Sequence, residues 1–412
     1  MLRPELLVSF VLATHNRHDE VKRTLAAVVH CGPPRDLFEI VVVDNASTDG
    51  TRNLATALAD QVIPLDTNEG SCAKAYGVDV ARGQYVVFLD DDSHPLAGSI
   101  AKMIQHFRAD RRLAAAGFDV ILPDGQHEGA ALPGVFVGCG VGLRLEALRD
   151  VGGLDKRFFM QAEEYDLAFR LVAAGWKIGV FPDLSVRHEK SPQARKPERT
   201  TCLDVRNNLR VAARYLPDDY LRIYRDDTLQ RYRWLAVARG HVKEYEQGVS
   251  EASALESSER KEYAGFRLDA AALEFFFRWG AMESAMSQLA EEGISRVVFA
   301  DLGKNVYAFH RGCGQAGIDV VAVADDRFTA LDRCYRGVPV HSVKEVLDRY
   351  GRGTDPTAAD AVIVANMSTT AAERTARFMA QATTLPVYFW RACGDDYELA
   401  RYAEPVPQTR QD

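Results

Sequence analysis

A chain of 412 residues, 47% hydrophobic and 26% charged, exceeds the size at which one core keeps growing and shows no compositional sign of disorder. Its formal net charge of −8 argues against general nucleic-acid binding and gives no overall attraction to an anionic membrane. Seven scattered cysteines without a CxxC pair favour reduced thiols in a cytosolic protein over disulfides or a structural zinc site.

In chain order, ELLVSFVLATHNR opens with neither a basic n-region nor a small-residue cleavage site, so no signal peptide is expected. Apolar runs fall far short of the roughly 20 residues of a transmembrane helix, and the expected location is the cytoplasm, including its inner membrane face. LLVSFVLA (6–13) predicts a strand, and an amphipathic helix follows from Asp19 to Val29. EIVVVD (39–44) predicts the second strand, with Thr48 or Asp49 placed to cap the next helix. QVIPLD (61–66), a helical stretch SCAKAYGVDVARG (71–83) and YVVFLD (85–90) continue the alternation. This is the α/β pattern of a mostly parallel sheet covered on both faces. Ligands gather at the carboxyl ends of such strands, and Thr14, Asp44, Asn68 and Asp90 all stand at or just past a strand end.

Residues 189–200, charged and proline-containing, read as an exposed loop, and helical patterns run from Thr201 to about Glu292. Alternation resumes with RVVFADLG (296–303), IDVVAVADD (318–326), VPVHSVKEVLDRY (338–350), ADAVIVAN (359–366) and LPVYFW (385–390). The expected organisation is a first domain over 1–215, a helical connection over 216–292, and a small doubly wound, Rossmann-like domain over 293–412. In that last domain the G-x-G-x-x-G positions read Asp301, Gly303 and Val306, and a carboxylate at the first disfavours a dinucleotide. Its expected role is accessory: acceptor docking, oligomerisation or binding of a further ligand.

The chemistry concentrates in short stretches, each with a plainer reading beside it. YVVFLDDDSHP (85–95) sets three aspartates behind a buried apolar run that gives them no internal partner. Strand alternation would place Asp90 and Asp92 on one side and Asp91 on the other. Two carboxylates on one side can share Mg²⁺ or Mn²⁺; the plainer reading is an acidic turn capping a helix. Asp44, in VVVDNASTDGT, can accept hydrogen bonds from a base edge or ribose, or form an Asx-turn. Thr14, Asn16 and Arg17 of ATHNR can hold a nucleotide or make a polar turn. TNEGSCAKA offers Asn68, a flexible Gly70 and Lys74 beside a diphosphate, or merely a helix start. Glu163, Glu164 and Asp166 crowd the start of a helix. The helix dipole alone favours acids there, whereas crowding and partial burial prepare a general base. His188 is a metal ligand or a structural histidine. The segment Arg187–Gly240 holds 13 Lys/Arg against 7 Asp/Glu, either a solvated helix face or a surface steering an anionic acceptor or phospholipid head group.

In this order THNR, VVVDNASTDGT, NEG, GQYVVFLDDD, GGLDKRFF, EEYDLAFRLVAAGW, VRH and VRNNLR resemble the family 2 glycosyltransferases of the GT-A fold, over roughly residues 5–215. The resemblance implies an inverting, metal-dependent enzyme that moves a sugar from a nucleotide-diphosphate donor, UDP- or dTDP-linked, to a hydroxyl acceptor. It implies Thr14, Asn16, Arg17, Asp44 and Asn68 at the nucleoside and diphosphate, with Gly70, Lys74 and Asp91 on the same side. Asp90 would lie near the ribose, Asp92 would bind Mn²⁺ or Mg²⁺ as the D-x-D partner of Asp90, and His188 would complete the metal site. The base falls on Glu164, with Glu163 and Asp166 still in play because EEYD departs from the commoner E-D-x-D. VGCGVGLRLEAL (137–148) would border the acceptor through Gly138, Cys139 and Gly140. The acceptor is a glycan, a lipid-linked sugar or a small natural product; no nucleic acid is expected, and the C-terminal domain is a candidate homo-oligomer contact. Two rivals are a sugar nucleotidyltransferase, which wants a glycine-rich loop where ATHNRHDE has no glycine, and a non-catalytic nucleotide-sugar-binding scaffold.

Overall fold

A computed structural model describes residues 6–190, 196–329, 333–351, 358–393 and 396–403. Residues 191–195 of the expected loop lie outside these. The chain forms two compact units, Met1–Ala130 with Gly134–Ala272, and Ala131–Pro133 with Leu273–Asp412. Among the described residues no helix is long and apolar enough to cross a membrane.

The first unit runs β1 (Val8–Thr14), α1 (His18–Cys31), β2 (Phe38–Asp44), α2 (Thr51–Leu58), β3 (Gln61–Pro64), α3 (Lys74–Val80), β4 (Tyr85–Asp90), β5 (Ser93–Pro95) and α4 (Ser99–Ala109). It continues with β6 (Leu113–Ile121), β7 (His127–Glu128), β8 (Gly140–Arg144), α5 (Leu145–Asp150), α6 (Glu163–Ala173), β9 (Lys177–His188), α7 (Pro197–Tyr215), α8 (Asp218–Arg239) and α9 (Val242–Glu262). Its sheet has the order β3-β2-β1-β4-β8-β6-β9-β5, with β7 on β6. The four strands β3, β2, β1 and β4 are parallel, as the alternation predicts. β8 then lies antiparallel between β4 and β6, and β9 runs parallel to β6.

Strands β1, β2 and β4 are mostly apolar because both faces are covered, and the buried Ser9 and Glu39 satisfy each other by a hydrogen bond of 2.7 Å. Phe10, Leu12, Phe38, Ile40 and Val42 meet Val21, Leu25 and Val28, the inward stripe of α1, in one core. Each such side chain contributes about 1.5–3 kcal/mol of burial. On the other face α3 approaches so closely that a Cβ on Gly77 would stand 2.4 Å from Val11 Cγ1. Strand register decides where the chemistry sits. Thr14 pairs with Asp44 and Ala13 with Asp90, so the polar ends of β1, β2 and β4 finish level. Ser93 of β5 pairs with His188, bringing the end of β9 to the same region.

The helical stretch beyond Thr201 is shared between the units. α7 is buried along most of its length and packs with α8 and α9. α10 (Ala270–Phe277) crosses the division, and α11 (Trp279–Glu291) belongs to the second unit. That unit adds β10 (Arg296–Ala300), α12 (Val306–Ala316), β11 (Asp319–Ala324), β12 (Cys334–Tyr335), β13 (Val338–His341), α13 (Val343–Tyr350), β14 (Ala361–Val364), α14 (Thr369–Ala382), β15 (Val387–Cys393) and β16 (Asp396–Arg401). Its sheet order is β12-β13-β11-β10-β14-β15-β16, parallel from β13 to β15 with antiparallel edges. α13 and α14 cover the face that carries Val298 and Ala300, while Phe299 points the other way, onto Phe309 of α12. Helices thus cover both faces, and the strand order reverses between the parallel neighbours β10 and β14.

Candidate functional site

Three loops leave the level strand ends, and asparagines tie them together. Asn16 adopts a left-handed backbone (φ 53), its amide donates to Ser47 Oγ at 3.0 Å and its Oδ1 accepts from the Thr48 amide at 2.7 Å. Asn45 joins the second loop to the third, donating to the Gly70 carbonyl at 2.9 Å and accepting from the Glu69 amide at 3.1 Å. Asn68 turns inward on the Gly70 amide at 2.9 Å. Asn16 and Asn68 therefore shape loops, while Asp44 retains acceptor capacity. Its Oδ2 accepts from Arg52 Nε at 2.6 Å, and its buried Oδ1 has no hydrogen-bond partner.

The three aspartates differ from expectation in two respects. First, they have internal partners. Lys74 Nζ, 4% exposed, donates to Asp90 at 2.7 Å and to the Gly138 carbonyl at 3.0 Å. Buried Arg17 donates to Asp92 at 2.9 Å and stands 3.5 Å from Asp91. Burial works against the Lys74 ammonium, but Asp90 outweighs it and holds its pKa above the usual value. Second, β4 ends at Asp90 and a turn begins at Asp91, so strand alternation does not reach Asp92. Asp90 faces Lys74, Asp92 faces Arg17 and His188, and Asp91 turns in to accept from Thr14 Oγ1 at 2.8 Å. Burial, above all, pushes Asp91 up to about 7, reinforced by Asp92 and Asp90 and opposed by Arg17 and Thr14.

The acids of α6 separate into distinct positions. Asp166 is fully buried, its Oδ2 accepting from Arg170 at 2.6 Å and its Oδ1 from Arg214 at 2.7 Å and from Tyr215. Both oxygens are engaged in the interior, which suits a structural anchor and not a base. Glu163 and Glu164 stay partly exposed in the first turn. Ser71 Oγ donates to Glu163 Oε1, joining α6 to the loop that follows β3, and Glu163 Oε2 is buried without a partner. The loop before α6 holds Phe159, Gln161 and Ala162 at φ 67, 71 and 63, a conformation that non-glycine residues rarely adopt. Asn207 of α7 compensates: its Nδ2 donates to the carbonyls of Phe158, Met160 and Gln161 at 3.0, 2.8 and 2.8 Å. Gly70 meets this loop where a Cβ would stand 2.2 Å from the Phe159 carbonyl, so only glycine fits.

The same helix revises the reading of the basic segment. Arg206 pairs with Glu251, while Arg210 and Arg214 are 3% and 0% exposed and converge on Glu259. These three cations brace the interior, whereas Arg199, Arg222, Arg233 and Arg239 of the same segment are exposed.

His188, 4% exposed, stands between carboxylates: Nε2 is 3.4 Å from Asp92 Oδ1 and Nδ1 is 3.0 Å from Glu128 Oε2. Burial opposes a charged imidazole, but hydrogen bonds to Asp92, Cys139 and Glu128 raise its pKa, and the His188 bond lowers that of Glu128. Asp90, Cys139 and His188 each offer a ligand atom within 4.8 Å of the others. Two donors sharing one ion at about 2.1 Å stand roughly 3.0–3.5 Å apart, a spacing that the Asp92–His188 pair meets. Carboxylate oxygens suit a hard divalent cation such as Mg²⁺ or Mn²⁺. Gly138 and Cys139 form the floor, their carbonyls accepting from Lys74 and from Ser93 Oγ at 2.9 Å, and Gly140 abuts Val186.

Sequence reasoning missed Asn45, Ser71, Asn207 as a brace, and Glu128. For Glu128 a signal existed. LPDGQ between β6 and β7 is a turn sequence, with Gly125 at φ 78, that folds the chain back so that Glu128 pairs with Val120.

Residues 9–135 match the model of glycosyl transferase family 2, and residues 119–247 that of glycosyl transferase family group 2. The chain is 32% identical over 126 residues to the succinoglycan biosynthesis protein ExoO of Rhizobium meliloti (strain 1021), covering 29% of this chain and 35% of that protein. It is 26% identical over 237 residues to the pre-mycofactocin glycosyltransferase of Mycobacterium tuberculosis (strain CDC 1551 / Oshkosh), covering 43% and 50%. The match thus spans between about a third and a half of these curated relatives' own length. The crystal structure of GalNAc-T7 with UDP, GalNAc and Mn²⁺ is similar at a TM-score of 0.45 and 18% identity, over 62% of this chain and 58% of that one. The two family models overlap and run unbroken from β1 into α9, across every residue of the sheet edge described above, and the chain belongs to the family 2 glycosyltransferases.

Proposed function

We propose that the first unit is an inverting glycosyltransferase that moves a sugar from a nucleotide-diphosphate donor, UDP- or dTDP-linked, to an acceptor hydroxyl. One observation carries this reading: the Ser71–Glu163 bond joins the acidic first turn of α6 to the loop after β3, which Asn45 ties to the end of β2, level with those of β1 and β4. Thr14, Asp44 and the loop from Asn68 to Lys74 hold the nucleoside and diphosphate, with the unpartnered Asp44 Oδ1 accepting from a base edge or ribose hydroxyl. Asp90, Asp92 and His188 are the residues that would hold Mn²⁺ or Mg²⁺, which when bound offsets the charge growing on the departing diphosphate. Lys74 and Arg17 place fixed positive charge at the same edge.

Glu164 takes the proton from the acceptor hydroxyl as its oxygen attacks the anomeric carbon from the side opposite the nucleotide. A single displacement inverts that carbon, and most of the advantage comes from holding both reactants in line. Glu163, bonded to Ser71, orients the turn that presents Glu164. Residues 138–140 border the acceptor: a glycan, a lipid-linked sugar or a small natural product. The second unit, residues 293–412 at least, serves as an accessory domain, and the seven free thiols accord with work in a reducing cytoplasm.

The experiment is a thermal-shift screen of nucleoside diphosphates and their sugars, each with and without Mn²⁺, followed by hydrolysis assays without acceptor. A ligand that binds the native state stabilises it by mass action. One donor class should raise the melting temperature in a Mn²⁺-dependent way and be slowly hydrolysed. Stabilisation without any hydrolysis or transfer favours a binding scaffold, and no stabilisation by any donor overturns the reading.

A further inference from the structure

β7 is only two residues long, laid antiparallel on the end of β6 by the turn from Leu122 to Gln126, yet it carries the Glu128 carboxylate onto His188. Glu128 Oε2 stands 3.0 Å from His188 Nδ1, and Lys190 Nζ holds its other oxygen at 3.2 Å. The opposite ring nitrogen, Nε2, faces Asp92. A neutral imidazole carries one N–H, and an acceptor fixed at Nδ1 commits that hydrogen there and leaves the Nε2 lone pair for a cation. Cys139 Sγ also lies near Nδ1, at 3.4 Å, but sulfur is a weak acceptor. In the neutral ring that a cation requires, Glu128 therefore decides which nitrogen carries the hydrogen.

We propose that Glu128 is a positioning residue for the divalent-cation site: by accepting the Nδ1–H of His188 it aims the Nε2 lone pair at the ion that Asp92 anchors. This rests on the reading of Asp90, Asp92 and His188 as metal ligands. It makes β7 part of the site, although Glu128 touches neither substrate nor ion. Carboxylates that orient a ligating histidine in this way typically account for about 10–100-fold in metal affinity.

The test is Mn²⁺ binding to the full chain, without nucleotide, followed by electron paramagnetic resonance of the free ion. Glu128→Ala should weaken binding about 10–100-fold. Glu128→Gln, whose amide oxygen still accepts from Nδ1, should recover most of that loss. Far-ultraviolet circular dichroism checks that each variant is folded, and the Gln variant keeps the test decisive if the Ala variant is not. Mn²⁺ affinity within twofold of the parent in Glu128→Ala overturns the proposal, as does a Gln variant as weak as the Ala variant, since bare charge would then be the cause. Asp92→Asn and His188→Ala are run beside them. If neither weakens Mn²⁺ binding, the metal-site reading itself has failed; if both do while Glu128→Ala does not, only the role of Glu128 falls.

Discussion

Each unit ends its central strands in carboxylates at the edge where an α/β sheet gathers ligands, and the fates of those carboxylates differ. In the first, Asp44 keeps a buried oxygen without a partner, and Asp90 is 35% exposed with Lys74 at its side. In the second, Asp301 and Asp325 follow β10 and β11 in the corresponding places. Arg327 bridges both, Asn366 donates to Asp301 at 2.7 Å, and the amides of Leu302 and Arg327 donate to Asp325 at 3.0 and 2.9 Å. The comparison teaches that strand-end acids mark a site only where their neighbours leave acceptor capacity for a ligand.

The largest effect that would sharpen this contrast comes from the acid assigned to proton transfer. Glu164→Gln should lower kcat about 10²–10⁴-fold, with little change in donor KM, because the amide keeps its size but cannot take a proton. Asp325→Asn, the matching change at the second edge, should leave transfer kinetics unaltered. Steady-state assays of both decide the matter. A Glu164→Gln enzyme that keeps more than about a tenth of the parent kcat moves the base to Glu163.

The strands of this fold were legible in the sequence because apolar periodicity is local. EIVVVD and YVVFLD appear as β2 and β4 with ends within a residue of expectation. Strand-end polar residues follow directly, so Thr14, Asp44 and Asp90 could be placed at one edge. What could not be read depends on partners distant in sequence. Arg17 lies 75 residues from Asp92, and Glu128 lies 60 from His188. Alternation failed at Asp92 because the strand stops at Asp90, and turn geometry there is set by Arg17 and Thr14. EEYD looked like three equivalent acids, and only the fold shows that Asp166 is itself fully buried between Arg170 and Arg214.

Asn207→Ala probes the support of the first edge. It leaves three carbonyls of a strained loop without their donor, at a cost of about 1–3 kcal/mol. The melting temperature should drop and kcat should fall with it, since that loop presents Glu163 and Glu164. A loss of stability with kcat intact would separate the loop from the chemistry. Arg327→Ala is the counterpart in the second unit, expected to cost about 1–2 kcal/mol because the guanidinium is half-exposed but leaves a buried Asp325 less well satisfied. Donor KM should not move. If it does, the second edge takes part in donor binding and the contrast between the units collapses.

The smallest effect near neutral pH, growing only in acid, concerns the charges behind each edge. In the first unit the partly buried Asp155 and the buried Glu259 lie against Arg157, Arg210 and Arg214; desolvation alone would raise them, but these arginines hold both below their ordinary values of 3.8 and 4.5. A carboxylate whose folded pKa is depressed adds stability that is complete above its unfolded value and is lost as pH falls through the folded one. The clamp on α7 should therefore be at full strength above about pH 5 and weaken progressively below the ordinary values, because the unfolded chain then takes up protons that the folded one refuses. The depressed carboxylates of the second unit, Asp360 and Glu345, are exposed at the surface, where screening leaves them little to lose. Hydrogen-exchange protection, corrected for intrinsic rates, should thus decline first in α7 and α9 and later in β10 and β14 as the pH is lowered from 7 to 4. A simultaneous decline in both sets would show that the buried arginine clamp does not set the acid limit of the first unit.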